Sequence, residues 1–363
     1  MKKSLLALAV LASASAAQAA TVYDKDGTSL VIGGRIQAVA YNGNARPLNS
    51  NSDASLVNSS RLNISGRTKV NDWLSVFAFS EWNMADGNNT NYSNGEKINT
   101  REQYVGADFN KYGQLLLGKT YDAVYAVQAV TDVYEDFGVR VQGYTDGERR
   151  PGQFRYIYDN NGIFASFGYQ TAQDDVSVNS KTINIRNGFS SSLGYTFDDV
   201  FGEPLSFKAG YSYIQAQEDN NEAMDNFKNI AASVAWGGDT GLYLAFLYET
   251  TRDKKRADGS NSSDCNKTKG YEFLVGYGFE NGLTINTGYQ LVDLKVKHGS
   301  VNENSYIYRR IPVYANYSLN SNFNVWAEAE FDADSTNRSS DKKAQYGGFE
   351  TGTLLSVGAR YTF

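Results

Sequence analysis

The sequence predicts an all-β fold, a transmembrane barrel of sixteen antiparallel strands connected up and down, and three observations carry that expectation. Leu355, Val357, Ala359, Tyr361 and Phe363 alternate with Ser356, Gly358, Arg360 and Thr362, so the last strand has one apolar and one wet face. The same two-residue rhythm recurs down the chain behind an export signal. Aromatic residues make 13% of the 363, as rings gathered into girdles at two bilayer interfaces require.

The export signal comes first. Lys2 and Lys3 precede the apolar run Leu5 to Ala12, and Ala17-Gln18-Ala19 supplies the small residues that signal peptidase needs. Residues 1–19 therefore read as a cleaved signal peptide and 20–363 as a single barrel domain. Losing Lys2 and Lys3 takes the basic count from 34 to 32 against 40 acids, and the net charge from -6 to -8, which argues against a nucleic-acid partner. No later stretch offers the uninterrupted apolar run of a membrane-spanning helix. A barrel strand needs only about 10 residues to cross, half of them polar, and so escapes that test. The balance of 34 Gly to 4 Pro suits long, twisted, fully paired strands, because proline cannot donate to a ladder.

Taken in order, Ile32, Gly34, Ile36 and Ala38 share one face of the first long strand and Arg35, Gln37 and Tyr41 the other. Leu62 and Ile64 oppose Arg61, Asn63, Ser65 and Arg67. Leu205, Phe207, Ala209, Tyr211 and Tyr213 oppose Ser206, Lys208, Gly210 and Ser212, and Leu242, Leu244, Phe246 and Tyr248 oppose Tyr243, Ala245 and Glu249. Tyr271, Phe273, Val275, Tyr277 and Phe279 face away from Glu272, Gly276 and Gly278; Leu283, Ile285 and Tyr289 from Thr284, Asn286 and Gln290; Val325, Ala327, Ala329 and Phe331 from Asn324, Glu328 and Glu330. Each apolar stripe should meet lipid or a neighbouring subunit, and each polar stripe water. With weaker segments near 73–84, 100–109, 113–120, 153–159, 163–171, 188–198, 227–236 and 305–319 the count reaches about sixteen, enough to leave an aqueous lumen. Val70-Asn71-Asp72, Asn110-Lys111-Tyr112, Asn160-Asn161 and Glu280-Asn281-Gly282 read as short periplasmic turns. The polar stretches 42–58, 85–99, 121–150, 171–187, 214–226, 251–268, 294–304 and 332–350 read as outward loops.

The segments Ala20-Thr21-Val22-Tyr23-Asp24-Lys25-Asp26-Gly27 and Arg61-Leu62-Asn63-Ile64-Ser65-Gly66, the Thr100-Arg101 strand and the terminal Tyr361-Thr362-Phe363 resemble the trimeric general-diffusion porins of Gram-negative outer membranes. The resemblance implies a homotrimer of sixteen-stranded barrels in the outer membrane, each narrowed by a third outward loop folded inward. Here that loop is 121–150, with Asp132, Glu135 and Asp136 as the acids of the constriction. Glu135 stands where the family has proline and Arg140 where it has a further acid, which alters the local charge. Carboxylates on such a loop, facing arginines on the wall, set a field across a narrow low-dielectric aperture.

Arg35, Arg61 and Arg101 match the family's basic wall, and the first two also lie on polar faces by alternation. For the next position the alignment points to Arg150, whereas outward Phe154, Tyr156 and Tyr158 put Gln153, Arg155 and Arg149 inside; a bulge can reset parity, so Arg149 and Arg150 both stand. Glu81 matches a luminal acid, provided Trp82 faces out. Against each assignment stands the plainer one of a solvated wall charge. For Arg252-Asp253-Lys254-Lys255-Arg256 that plainer reading, a loop tip in water, is preferred to contact with lipopolysaccharide phosphates.

Catalysis finds little support. His298, the only histidine, lies in an expected loop, and acids facing arginines are held ionised rather than tuned as proton donors. One histidine and one cysteine make no metal site, Cys265 reads as a loop bystander, and no cofactor is expected. The expected function is passive diffusion of small hydrophilic solutes and ions. The net charge leans mildly toward cations, with the arginines opposing locally. The expected partners are outer-membrane lipid, lipopolysaccharide and further copies of the chain. A substrate-specific channel or a surface adhesin using the outward loops remains an alternative, although Tyr41, Phe77, Phe79, Tyr243 and Tyr314 are too scattered for a sugar slide.

Overall fold

The computed structural model describes residues 19–43, 54–84, 98–137, 141, 149–179, 181–218, 224–254, 265–298, 301–333 and 352–363, so the expected signal peptide lies almost wholly outside the described residues. Among the described residues, eighteen strands form one closed antiparallel sheet: β1 (Ala20–Lys25), β2 (Thr28–Tyr41), β3 (Ser55–Lys69), β4 (Ser75–Met84), β5 (Ile98–Asp108), β6 (Gln114–Tyr121), β7 (Arg149–Asn160), β8 (Ile163–Gln170), β9 (Gln173–Val178), β10 (Lys181–Val200), β11 (Glu203–Ala216), β12 (Asn226–Trp236), β13 (Gly241–Lys254), β14 (Cys265–Gly278), β15 (Leu283–His298), β16 (Val301–Ser318), β17 (Phe323–Asp332) and β18 (Leu354–Thr362). They make sixteen staves. β9 pairs with the start of β10 beyond the part of β10 that pairs with β8, and so extends β8's stave. β1 pairs with the first half of β2 and β18 with the second half, so one stave is shared by the two ends of the chain.

The seam is closed by backbone. Gly34 N–H donates to Phe363 O at 2.8 Å and Phe363 N–H to Gly34 O at 2.9 Å. A Cβ at Gly34 would stand 2.6 Å from Arg61 O and 2.8 Å from Phe363 Cζ, so only glycine lets the terminal ring lie on the seam. The short connections turn as expected. Asp26-Gly27 and Asn161-Gly162 hold positive φ, as two-residue hairpins require, and Asn71 Oδ1 accepts the N–H groups of Trp73 and Leu74 in the 70–74 turn.

Burial runs inside out relative to a water-soluble sheet. Ile36, Leu193 and Val357 are 59%, 57% and 61% exposed on the outer face, while Gln153, Ser192 and Gln290 are nearly inaccessible on the inner one. Exposed apolar side chains recur on nearly every stave of the outer face, the reverse of a sheet that meets water on that side.

Two expectations need correction. Stretches read as loops are partly strand: β9 and β10 occupy most of 171–187, β13 runs through Arg252 and Asp253 to Lys254, Cys265 opens β14, and β15 carries His298. Their polar composition resembles loop, but neighbouring staves satisfy their backbone groups and the strands continue past the bilayer. Asp253, expected in a solvated tip, is 1% exposed; Lys255 and Arg256 lie outside the described residues. Nor is every inward position wet. Val39, Leu116, Phe164, Leu247, Leu274 and Val292 are buried on the lumen side, because chain from inside the barrel lies on them.

Candidate functional site

That inner chain is the segment after β6. Asp122 starts it, its carboxylate accepting Val124 N–H and Ser212 Oγ–H, each at 2.8 Å, and the Arg150 guanidinium. A single helical turn follows, α1 (Tyr125–Gln128), buried throughout. Val124 and Val127 pack on Ala231, Leu247 and Val292, and Ala126 on Leu116, Ile157 and Phe164. The chain thus crosses from the β6–β8 wall to β12–β15 in one turn of helix.

Acids of the wall then hold the segment by hydrogen bonds. Gln128 Nε2 donates to both oxygens of Glu249 at 2.8 and 2.9 Å. Thr131 Oγ1 donates to Glu272 at 3.0 Å, and Gln290 reaches the other Glu272 oxygen at 2.7 Å. Tyr243 OH donates to Val130 O at 2.8 Å. Farther along, Glu328 accepts three successive backbone N–H groups, from Glu135, Asp136 and Phe137, at 3.0, 2.9 and 2.7 Å. With wall side chains from β13, β14 and β17 bonded to it at successive points, the loop is fastened rather than draped.

The expected loop acids take different places. Asp136 accepts from Tyr41 OH (2.8 Å), Trp326 Nε1 (2.8 Å) and Ser356 Oγ (2.6 Å), the coordination of an anchor. Glu135 pairs with the Arg360 guanidinium at 2.5 and 2.6 Å; Arg360 also donates to Gln37 and lies 5.0 Å over the Trp326 ring. Asp132 is exposed inside the barrel and accepts from Tyr125 OH. Tyr125 stacks on Tyr121, whose hydroxyl accepts from Arg149 at 2.7 Å.

The basic wall lies on β2–β7. Arg35 and Arg61 are register partners on β2 and β3, and Arg61 Nε donates to Asn83 at 2.9 Å. Arg101 is the extra residue of a bulge in β5 and donates to Glu81 at 2.6 Å. Strict alternation would send Arg101 outward with Gln103 and Val105; the bulge turns it in. A second bulge, Pro151 and Gly152 opposite Lys119, separates Arg149 and Arg150 from the regular part of β7, and both side chains find partners at the loop root, Arg150 on Asp122 and Arg149 on the Tyr121 hydroxyl. Arg150 is buried on Asp122 behind the loop root, and Arg149 joins Arg35, Arg61 and Arg101 in one mutually repelling group.

Arg360, Asp122 and the three anchoring glutamates are functional candidates that sequence reasoning passed over. Alternation marks Arg360 as inward. Its place beside Gln37, 323 positions away, exists only because β18 pairs with β2.

A family model described as Gram-negative porin matches residues 4–309. The chain belongs to the Gram-negative porin family. It is 28% identical to the outer membrane porin PhoE of Escherichia coli K12 over 382 residues, with 100% of both chains covered. Against the PhoE of Klebsiella oxytoca identity is 29% over 381 residues, again with complete coverage of both. The fold is similar to that of Salmonella typhi OmpF in complex with daunomycin, with a TM-score of 0.73, 22% identity and 95% of this chain and 100% of that one covered. It is also similar to Vibrio cholerae OmpT in its trimer form, with a TM-score of 0.65, 16% identity and 93% and 100% coverage. This porin is accordingly a channel of the outer membrane, built as a closed sixteen-stave barrel.

Proposed function

We propose that this porin admits small hydrophilic solutes and ions by general diffusion, and that its selective aperture lies between the inner loop and the wall formed by Arg35, Arg61, Arg101 and Arg149. The observation that carries the reading is the fastening of the loop to the opposite wall by Glu249, Glu272 and Glu328, which holds one edge of the aperture still. Arg360 with Glu135 and Arg101 with Glu81 are charge pairs within the lumen, so selectivity rests on the remaining arginines against Asp132. The luminal aromatics favour a general over a sugar-specific channel. Tyr41, Tyr134, Tyr314, Trp326 and Phe137 pack against one another around the loop and do not form a track along the bore. Liposome swelling with graded sugars tests this: rates should fall smoothly with size and rise linearly with concentration. Saturation by one sugar, or no swelling at all, would refute it.

Homotrimer formation rests on the OmpT trimer form among the structural neighbours and on the exposed apolar outer face. Lipopolysaccharide as a partner is supported by the outer rim. Lys228, Arg252, Lys267 and Lys295 are register partners on four adjacent staves, all on the exposed outer face above the aromatic band. Like charges directly opposite one another repel, and lipid phosphates relieve that repulsion.

A further inference from the structure

Pairing of β10 with β11 ends at Ile185, and beyond it the β9–β10 hairpin, although it prolongs β8's stave, leaves the line of the wall. Its Lys181 Nζ meets Asp253 Oδ2 at 2.5 Å, and Asn179 Nδ2 reaches the same carboxylate at 3.4 Å. Asp253 sits on the inner face of β13, in line with Glu249 and Thr251, and also accepts Asn266 N–H at 2.9 Å. Three ladder steps separate β10 from β13, about 14 Å along a flat sheet, farther than a lysine side chain extends. The tip of the hairpin must therefore bend inward across β11 and β12.

An apolar cluster explains why it stays there. Ile214 and Ala216 of β11 and Phe227 of β12 project to the inner side, where a hydrated mouth would wet them. Val176 and Val178 of β9, Ile183 and Ile185 of β10 and Met224 close over them, and all eight are 6% exposed or less. The occupant of this inner apolar face is thus the chain's own hairpin.

On the same wall α1 packs against Ala231, four residues below Phe227 on β12, so the two elements rest on points about 13 Å apart along that strand. Both narrow the bore from the same side, in series.

Resting on the channel reading, we propose that the β9–β10 hairpin is a second, outer size filter, clamped over the mouth by Lys181, Asp253 and the apolar cluster, and that it excludes bulky solutes before they reach the inner loop. It acts by steric exclusion and leaves the charge of the inner aperture unchanged.

The test is liposome swelling with a pentose, a disaccharide and a trisaccharide, on the whole chain. In Lys181→Ala/Val178→Asp, and more weakly in Lys181→Ala alone, the trisaccharide-to-pentose rate ratio should rise at least threefold in the double variant while the pentose rate changes little. An unchanged ratio in both variants, each running as folded barrel on unheated gels, overturns the filter. Placement is tested separately with Asn179→Cys/Asp253→Cys in a Cys265→Ser background. A short thiol crosslinker should join the two peptides, detected by mass spectrometry after proteolysis, and restore the wild-type ratio. Failure to join overturns the inward bend. Failure of wild-type protein to pass the pentose would instead reject the channel reading itself.

Discussion

Asp132 is the loop acid whose charge can be removed without loosening the loop, because Glu135 and Asp136 are engaged by Arg360 and by three neutral donors. Asp132→Asn should therefore shift the reversal potential toward anion preference in planar bilayers at unchanged conductance noise, and Arg61→Gln should shift it the other way. Identical reversal potentials for both variants and wild type would remove Asp132 and Arg61 from the aperture. Glu328 offers the complementary case. Truncation to Ala strips the acceptor from three backbone N–H groups; leaving such a donor unsatisfied costs about 1–3 kcal/mol each, so the end of the loop should come free. Glu328→Ala is expected to form a folded barrel with flickering single-channel current, and a trace as quiet as wild type would show that the other anchors suffice.

At the scale of elements, the inner loop is secured at its root by one buried ion pair. Arg150 and Asp122 have side chains 4% and 6% exposed, and removing one partner of such a pair leaves an uncompensated charge at a cost of about 3–5 kcal/mol. Arg150→Met should lower the thermal unfolding midpoint in detergent, while Arg150→Met with Asp122→Asn should recover most of the loss. Additive losses would mean that the two side chains are not coupled. The pair also shows where sequence reasoning reached its limit. Alternation identified the staves and put Arg35 and Arg61 inside. It could not place Arg101 or choose between Arg149 and Arg150, because each sits at a bulge and a bulge shifts parity by one without any composition signal. The β9–β10 hairpin was hidden for a different reason. Polar strands beyond the bilayer have the composition of loops, and only their partners reveal them.

For the molecule as a whole, closure is the decisive event, and Gly34 lies on its seam. Gly34→Val would drive side-chain atoms into Arg61 O and the Phe363 ring, where overpacking costs about 1–3 kcal/mol or more. The seam between β18 and β2 should then open at lower temperature, read as an earlier loss of the folded band on unheated gels; an unshifted transition would mean that Phe363 can move aside freely. The cationic row gives a second prediction at this scale. Replacing Lys228, Arg252 and Lys267 together by Gln should reduce the lipopolysaccharide that copurifies with the protein several-fold and leave pentose passage intact. Retention of full lipopolysaccharide would assign that contact elsewhere.

By itself the amino-acid order determined the main staves, most of their two faces, the short turns, the long inner loop and the kinship, because each is written in neighbouring residues, the staves through a period of two. Only the closed barrel decided which charges meet. Arg360 with Gln37 and Glu135, Glu328 with the loop backbone, and Lys181 with Asp253 are joined across 72 to 323 positions of chain. Such contacts depend on the curvature and register of the whole sheet, which no local pattern encodes.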